Sequence, residues 1–368
     1  MTDNLTGAPE LTITPGGSDS QTRLGTIARH RHWLVGGGII AVITLLGLAV
    51  PYLVSSKFNM GLVLDGVILA FLALSIGFLA RHLGLISLGH TAFFGGAAYT
   101  VGIGIGRWSM TPTVAFVVAV VVGTLLALIM GVLVVRSTGM TFLMLTLALG
   151  QALYQFSTQR IAIPWTGAHD GLQIDLSGGT FLGLTQKSMM NAALFWPVAW
   201  VLLMVCALWL WITGRSRFGT VLEGIRENEE RMRFSGFNTD LPRLIAFVVS
   251  GCVASIGGAL FALNAAYVSP ELLSFTKAGD ALTAAIVGGL GVLAGPIFGA
   301  IVYVLAQSRF NTSGNLHLYT GIALVLVLMF LPGGILGSLE KWVRGRLSRR
   351  RQATPPSTSE PSSPEDQS

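Results

Sequence analysis

The sequence predicts an all-α integral membrane protein with about 8 full transmembrane helices plus a broken re-entrant helical hairpin, roughly 9–10 membrane helices in all. Three observations carry that expectation. Of 368 residues, 52% are hydrophobic and 11% charged, with a mean hydropathy of +0.68, more apolar surface than a soluble globule can hide. Apolar runs of about 20 residues recur near 34–54, 60–80, 85–106, 112–135, 139–156, 193–213, 244–263 and 315–335, each long enough to cross a hydrocarbon core as a helix. The cations also fall on one side. With Arg23, Arg29 and Arg31 inside, so are Arg81, Arg136, the 214–243 connection and a tail carrying Lys341, Arg344, Arg346, Arg349, Arg350 and Arg351, as the positive-inside rule requires.

Residues 1–33 read as a disordered cytoplasmic N-terminus, being rich in Gly, Ser, Thr and Pro over most of their length. The RHRH at 29–32 could suggest a metal site, but a basic flank before a first span is far commoner. The run at 34–54 lacks a small-residue cleavage site after it and reads as a retained anchor. Residues 34–340 form one polytopic transmembrane domain, and 341–368 a basic, then disordered, cytoplasmic tail. Both termini are therefore expected in the cytoplasm, in a multi-pass protein of the cell (inner) membrane. Cys206 and Cys252 lie inside apolar runs without metal-ligand spacing and read as packing residues.

The segment 280–307, DALTAAIVGGLGVLAGPIFGAIVYVLAQ, breaks the crossing count. A single crossing there would send the basic tail outside, so the chain must return to the side it entered from. Gly288, Gly289, Gly291, Gly295 and Pro296 split it into two halves, each too short to span. Such a break reads either as the lining of a polar path or as a tightly packed glycine-rich corner. The external stretch 157–191, with WTGAHDGLQIDLSGG at 165–179, is turn-rich and reads as a partner-docking cap or as a spacer.

Enzymatic chemistry is not indicated. There is no GxxxxGK[ST] phosphate loop, HExxH, paired-cysteine metal spacing or GxSxG; no catalytic, metal-binding or nucleic-acid-binding residue is expected, and no cofactor bound by this chain. Titratable groups in the spans are few. Asp65 and Asp280 lie near span edges, unlike the mid-membrane carboxylates of ion-coupled carriers. His90 reads as a hydrogen-bonded packing residue on a small-residue helix face with Gly89, Gly95 and Gly96.

SLGHTAFFGGAAY (87–99), RFGTVLEGIRENEERMRFSGFN (217–238), AFVVSGCVASIGGALFALNAAYVSP (246–270), GGLGVLAGPIFGA (288–300) and LPGGILG (331–337) follow one another over roughly residues 60–340. In that order they resemble the membrane permease of branched-chain amino acid ABC importers, the LivM type, and TGAHDGL at 166–172 resembles its external glycine-rich motif. The resemblance implies a permease domain at 34–340. Its implied partners are a second related permease subunit, two cytoplasmic ATP-binding subunits that use the ATP, an extracytoplasmic solute-binding protein and membrane lipid. It implies import of branched-chain or related amino acids, while relatives of the type carry urea or short amides. A secondary active transporter and a membrane-embedded scaffold or enzyme are the rival classes. The chain departs from the family's usual pattern at Arg231, Met232, Arg233, Phe234 and Ser235, which are bulkier and more basic, and at Ala168 and His169.

Within 214–243, Phe218, Leu222, Ile225 and Met232 follow one helical stripe, with charges mostly off it and Gly236 as terminator. An amphipathic surface helix is expected. With the resemblance it reads as an ATPase-coupling element carried by Glu223, Arg226, Glu227, Asn228, Glu230 and Gly236; without it, as a solvated connector. The translocation path is expected at Ser87, Gly89, His90, Gly95, Gly96, Gly288, Gly289 and Pro296.

Overall fold

The computed structural model describes residues 38, 41–54, 56–310, 321–322, 329 and 333–338. The expected disordered ends, and most of the last span near 315–335, lie outside the described residues. The chain forms two compact units, 1–47 and 48–368. The described part of the first is helical, and the second holds the core.

The helices are α1 (Ala41–Leu53), α2 (Lys57–Leu83), α3 (His90–Trp108), α4 (Pro112–Val134), α5 (Gly139–Thr158), α6 (Ala192–Arg215), α7 (Arg217–Glu227), α8 (Glu229–Phe234), α9 (Asp240–Ala265), α10 (Phe275–Gly288) and α11 (Gly295–Phe310). Among the described residues, four are long and apolar enough to cross a membrane: α2, α4, α6 and α9. The expectation of eight full spans is thus matched at four of its positions. The run at 34–54 appears as the shorter α1. His90 and Arg107 dilute the apolar character of α3, as Gln151 and Gln155 dilute that of α5.

α2 is the central rod. From Gly66 to Leu83 almost every side chain is buried whichever way it points, as expected of a helix packed on all sides rather than on one stripe. It ends at Gly84, whose left-handed φ of 67° closes the last turn. α4 lies at the periphery. Ala115, Ala119, Gly123 and Ala127 are buried at every fourth position, while Val117, Val121, Leu125 and Leu128 are exposed. That small-residue row lets α4 close on α9: a side chain at Gly123 would run into Ser255. One turn further along α9, a side chain at Gly258 would meet the Phe94 carbonyl of α3.

The 280–307 segment folds as the expected two short helices. α10 has 14 residues and α11 has 16, and they are joined by residues 289–294 starting at Gly289 with φ 107°. Neither half is long enough to span alone. The two pack against each other and against α2.

One boundary is corrected. The run at 85–106 becomes helical only at His90, leaving 84–89 irregular yet mostly buried. Gly84 has left α2, and the Ser87 hydroxyl accepts the Gly89 N–H at 3.3 Å, an alternative to helical pairing that a run of apolar residues does not reveal. Outside the helices, β1 (Leu172–Gln173) pairs antiparallel with β2 (Tyr267–Val268), tying the turn-rich 157–191 stretch to the end of α9.

Candidate functional site

The charged connection after α6 is an ordered helical hairpin. Leu222 and Ile225 bury the inner face of α7, with Phe218 partly buried beside them. The single amphipathic helix expected over this stretch is corrected to two. Asn228 is extended, with φ −159°, and its side chain accepts the Arg231 N–H at 2.9 Å, capping α8 and ending α7. Asparagine favours this cap because its short amide reaches the orphan amides of the next turn. Met232 therefore reaches the body by folding back over Gly224 rather than along one stripe. Gly236 does follow the last turn, with φ 83°.

The expected coupling residues divide by direction. Arg226 turns inward, donating to the Arg81 carbonyl at the end of α2 and lying over Gly84. Glu223 stands 3.6 Å from Nδ1 of the buried His82. Glu227 and Glu230 are exposed and make no ion pair among the described residues. Beside them Phe234 is 90% exposed and Phe237 52%.

The strongest polar node here lies at residues that sequence reasoning did not select. Glu229 Oε1 accepts from Arg233 Nη2 at 2.8 Å, Arg243 Nη1 at 2.9 Å and Thr239 Oγ1 at 3.2 Å. Arg243, with a side chain only 3% exposed, also donates to the Ser137 carbonyl between α4 and α5. The only sequence signal was a lone arginine at the start of an apolar run.

The expected path residues fall into two clusters. Ser87, Gly89 and His90 gather against α5 and α9. Gly89 abuts the Thr146 carbonyl, and a methyl group on it would lie 2.8 Å from that oxygen. His90 is fully buried, with Nε2 2.9 Å from Ser250 Oγ, Nδ1 without a hydrogen-bond partner among the described residues, and its ring edge-on to Phe93 and Phe247. Gly95 faces Leu273, and Gly96 faces Leu126. The second cluster holds Gly288, Gly289 and Pro296. Gly288 touches the Gly295 backbone, and Gly289 packs against Gly333 of the LPGGILG motif. Pro296 is seated on Gly77 of α2, a partner not foreseen. Near this hairpin Tyr303 donates to Asp280 at 2.5 Å, and Lys277 lies within electrostatic reach of Asp65.

The TGAHDGL motif at 166–172 is tightly folded. Gly167 and Gly171 take left-handed φ of 69° and 68°, Tyr267 donates to the Asp170 carbonyl, and Arg107 stacks 4.5 Å over Trp165 while donating to Pro164. The Ser177 N–H holds the Asp175 carboxyl below its usual range. Ala168 is half-buried and His169 exposed. No cluster of three metal-ligating side chains occurs among the described residues.

The family model described as "Branched-chain amino acid transport system / permease component" matches residues 59–333. The chain is 26% identical to the high-affinity branched-chain amino acid transport system permease protein LivM of Escherichia coli K12, over 81% of this chain and 74% of that protein. It is 25% identical to LivM of Salmonella typhimurium, over 85% and 76%. It is also 26% identical to the autoinducer 2 import system permease protein LsrC of Photorhabdus laumondii, over 48% and 57%. No solved structure matches the chain.

Proposed function

The chain belongs to the family of branched-chain amino acid transport system permease components, and on that premise we propose that it is one permease subunit of an ATP-driven (ABC) importer of the inner membrane. The solute we assign is a branched-chain or related amino acid. In this reading the chain forms half of the translocation path beside a second related permease. Two cytoplasmic ATP-binding subunits hydrolyse ATP, and an extracytoplasmic solute-binding protein delivers the solute. Both termini face the cytoplasm, and the α10–α11 hairpin enters and leaves on the external side.

The observation that carries this reading is the α7–α8 hairpin. It is pinned on its inner side to the ends of α2 and α9, while Glu227, Glu230 and Phe234 stand bare on its outer side. A mechanical connection needs that two-faced construction, whereas a secondary carrier has no use for it. The α10–α11 break, packed on the central α2, supports a path there, because irregular backbone inside a membrane is tolerated only where protein or a polar cavity covers it. The amino-acid assignment is supported by the two LivM relatives; the LsrC relatives carry a different solute by name.

The test is reconstitution of the permease pair with its ATP-binding subunits and binding protein in liposomes. ATP-dependent uptake of L-leucine, L-isoleucine or L-valine is expected. Uptake of urea or acetamide instead would overturn the solute, and uptake by the chain alone, driven by a proton gradient, would overturn the class.

A further inference from the structure

We propose that the Glu229–Arg243 ion pair, whose guanidinium is buried, is the link through which α8 drives α9, and through α9 the irregular 84–89 segment with His90. The inference rests on the reading of 214–243 as the ATPase-coupling element, and adds how its motion reaches the membrane interior.

The Arg243 guanidinium is nearly inaccessible. A charge so placed is strongly disfavoured if its partner is withdrawn. Its partners are the Glu229 carboxylate of α8 and the Ser137 carbonyl. The pair therefore stays closed when α8 is displaced, and α9 must follow. The hairpin's other attachments are Arg226 on the Arg81 carbonyl, Glu223 at 3.6 Å from His82, and the exposed Arg233–Asp240 pair at 3.3 Å between α8 and α9. Exposed pairs are the weaker kind, and Arg243, 3% exposed, is the least exposed of these cations.

From Arg243 the same face of α9 runs inward. Phe247 and Ser250 follow at spacings of 4 and 3 and share its side of the helix. Phe247 sits edge-on to Phe142 of α5 and to Phe93 and His90 of α3, and Ser250 meets His90 at 2.9 Å. A continuous helix transmits displacement as a rod. His90 is the first residue of α3, directly after the non-helical 84–89 stretch, where a backbone without a hydrogen-bonded ladder can change shape. Charge pair, aromatic packing and buried hydrogen bond thus form one unbroken physical chain from the exposed hairpin to a deformable buried segment.

The experiment uses the whole transporter in lipid nanodiscs, with Cys206→Ala and Cys252→Ala as background and Ser87→Cys as reporter. Maleimide labelling of that thiol is compared without nucleotide and with vanadate-trapped ADP. The parent should differ between the two states by about fivefold or more, a population shift of order 1 kcal/mol. Glu229→Ala and Arg243→Met should keep the ATP-binding subunits and hydrolyse ATP within about twofold of the parent, yet lose the nucleotide dependence of labelling. Arg233→Ala removes the exposed partner, together with its 3.3 Å contact to Asp240 of α9, and leaves the Glu229–Arg243 pair; it should keep the nucleotide dependence of labelling, and its loss there would assign the link to Arg233–Asp240. If Arg243→Met does not assemble, Glu229→Ala and Glu229→Gln carry the comparison. Nucleotide-dependent labelling that persists in Glu229→Ala overturns the link. So does loss of the ATP-binding subunits from Glu229→Ala alone, which would make Glu229 a docking residue. A parent complex that never binds ATP-binding subunits overturns the coupling reading itself, and with it the link.

Discussion

The ring of Pro296 rests on the bare backbone of Gly77: a methyl group placed on that glycine would lie 2.6 Å from the proline Cγ. The contact fixes the broken hairpin to the central rod of the bundle at the point where α11 begins. Gly77→Val should therefore push α11 away from α2, costing about 1–3 kcal/mol as overpacking does. Gly61→Ala on the same helix has open space before it and should be silent. Thermal unfolding in detergent checks both, and equal melting temperatures would mean that the hairpin adjusts freely.

Neighbouring glycines of the GHTAFFGG stretch are not equivalent. A methyl on Gly95 would come within 2.5 Å of Leu273 Cδ2 and 2.7 Å of its Cγ, so the whole leucine must move; on Gly96 it meets only the tip of Leu126 at 3.1 Å. Gly95→Ala should lower stability and uptake, while Gly96→Ala should cost little. The reverse order in a paired melting and uptake assay would contradict this packing.

Among the described residues, Ser250 is the one hydrogen-bond partner of a histidine buried on all sides. Ser250→Ala leaves Nε2 as unsatisfied as Nδ1 already is, a loss of about 1–3 kcal/mol. Ser250→Thr keeps the hydroxyl and should lose much less. Melting temperatures of the two variants, compared with His90→Phe, separate the hydrogen bond from the shape of the ring.

Much of this was legible in the residues, and what was not has identifiable reasons. The hairpin break was readable because Gly289 and Pro296 act on their own backbone, locally. Gly77 as the seat of Pro296 was not, since one glycine in an apolar helix looks the same whether it faces lipid, void or a partner hundreds of residues away. The helix break at Asn228 was missed because the apolar spacing from Ile225 to Met232 fits a continuous helix. The competing side-chain cap leaves that periodicity untouched. Glu229 and Arg243 were passed over for the same kind of reason: they are 14 residues apart, and only the turn at 235–239 brings them together.

Tyr303 of α11 and Asp280 of α10 form a close pair, and Lys277 of α10 lies within electrostatic reach of Asp65 of α2. Carboxylates in or beside a span are the groups a proton-driven carrier draws on. With ATP as the energy source, Tyr303→Phe, Asp280→Asn and Asp65→Asn should each keep substantial uptake that survives a protonophore. Strict protonophore sensitivity of the unmodified transporter would favour the secondary carrier.

Glu227 and Glu230 differ from their neighbour Glu229 in having nothing to hold. Both are exposed and without an ion pair among the described residues, beside the bare rings of Phe234 and Phe237. The fold does not need their charge, so reversing it should change stability by no more than about 0.5 kcal/mol, as for most surface positions. A protein partner that reads this face would feel the change at once, because like charges brought together at an interface cost several kcal/mol. Glu227→Arg with Glu230→Arg should leave the permease inserted and as abundant as the parent, yet strip the ATP-binding subunits from it during co-purification and abolish uptake. Phe234→Ser should weaken the same association while leaving net charge unchanged, which separates apolar anchoring from electrostatic register. Full recovery of the ATP-binding subunits with the reversed-charge variant, together with undiminished uptake, would reduce this hairpin to a connector between α6 and α9.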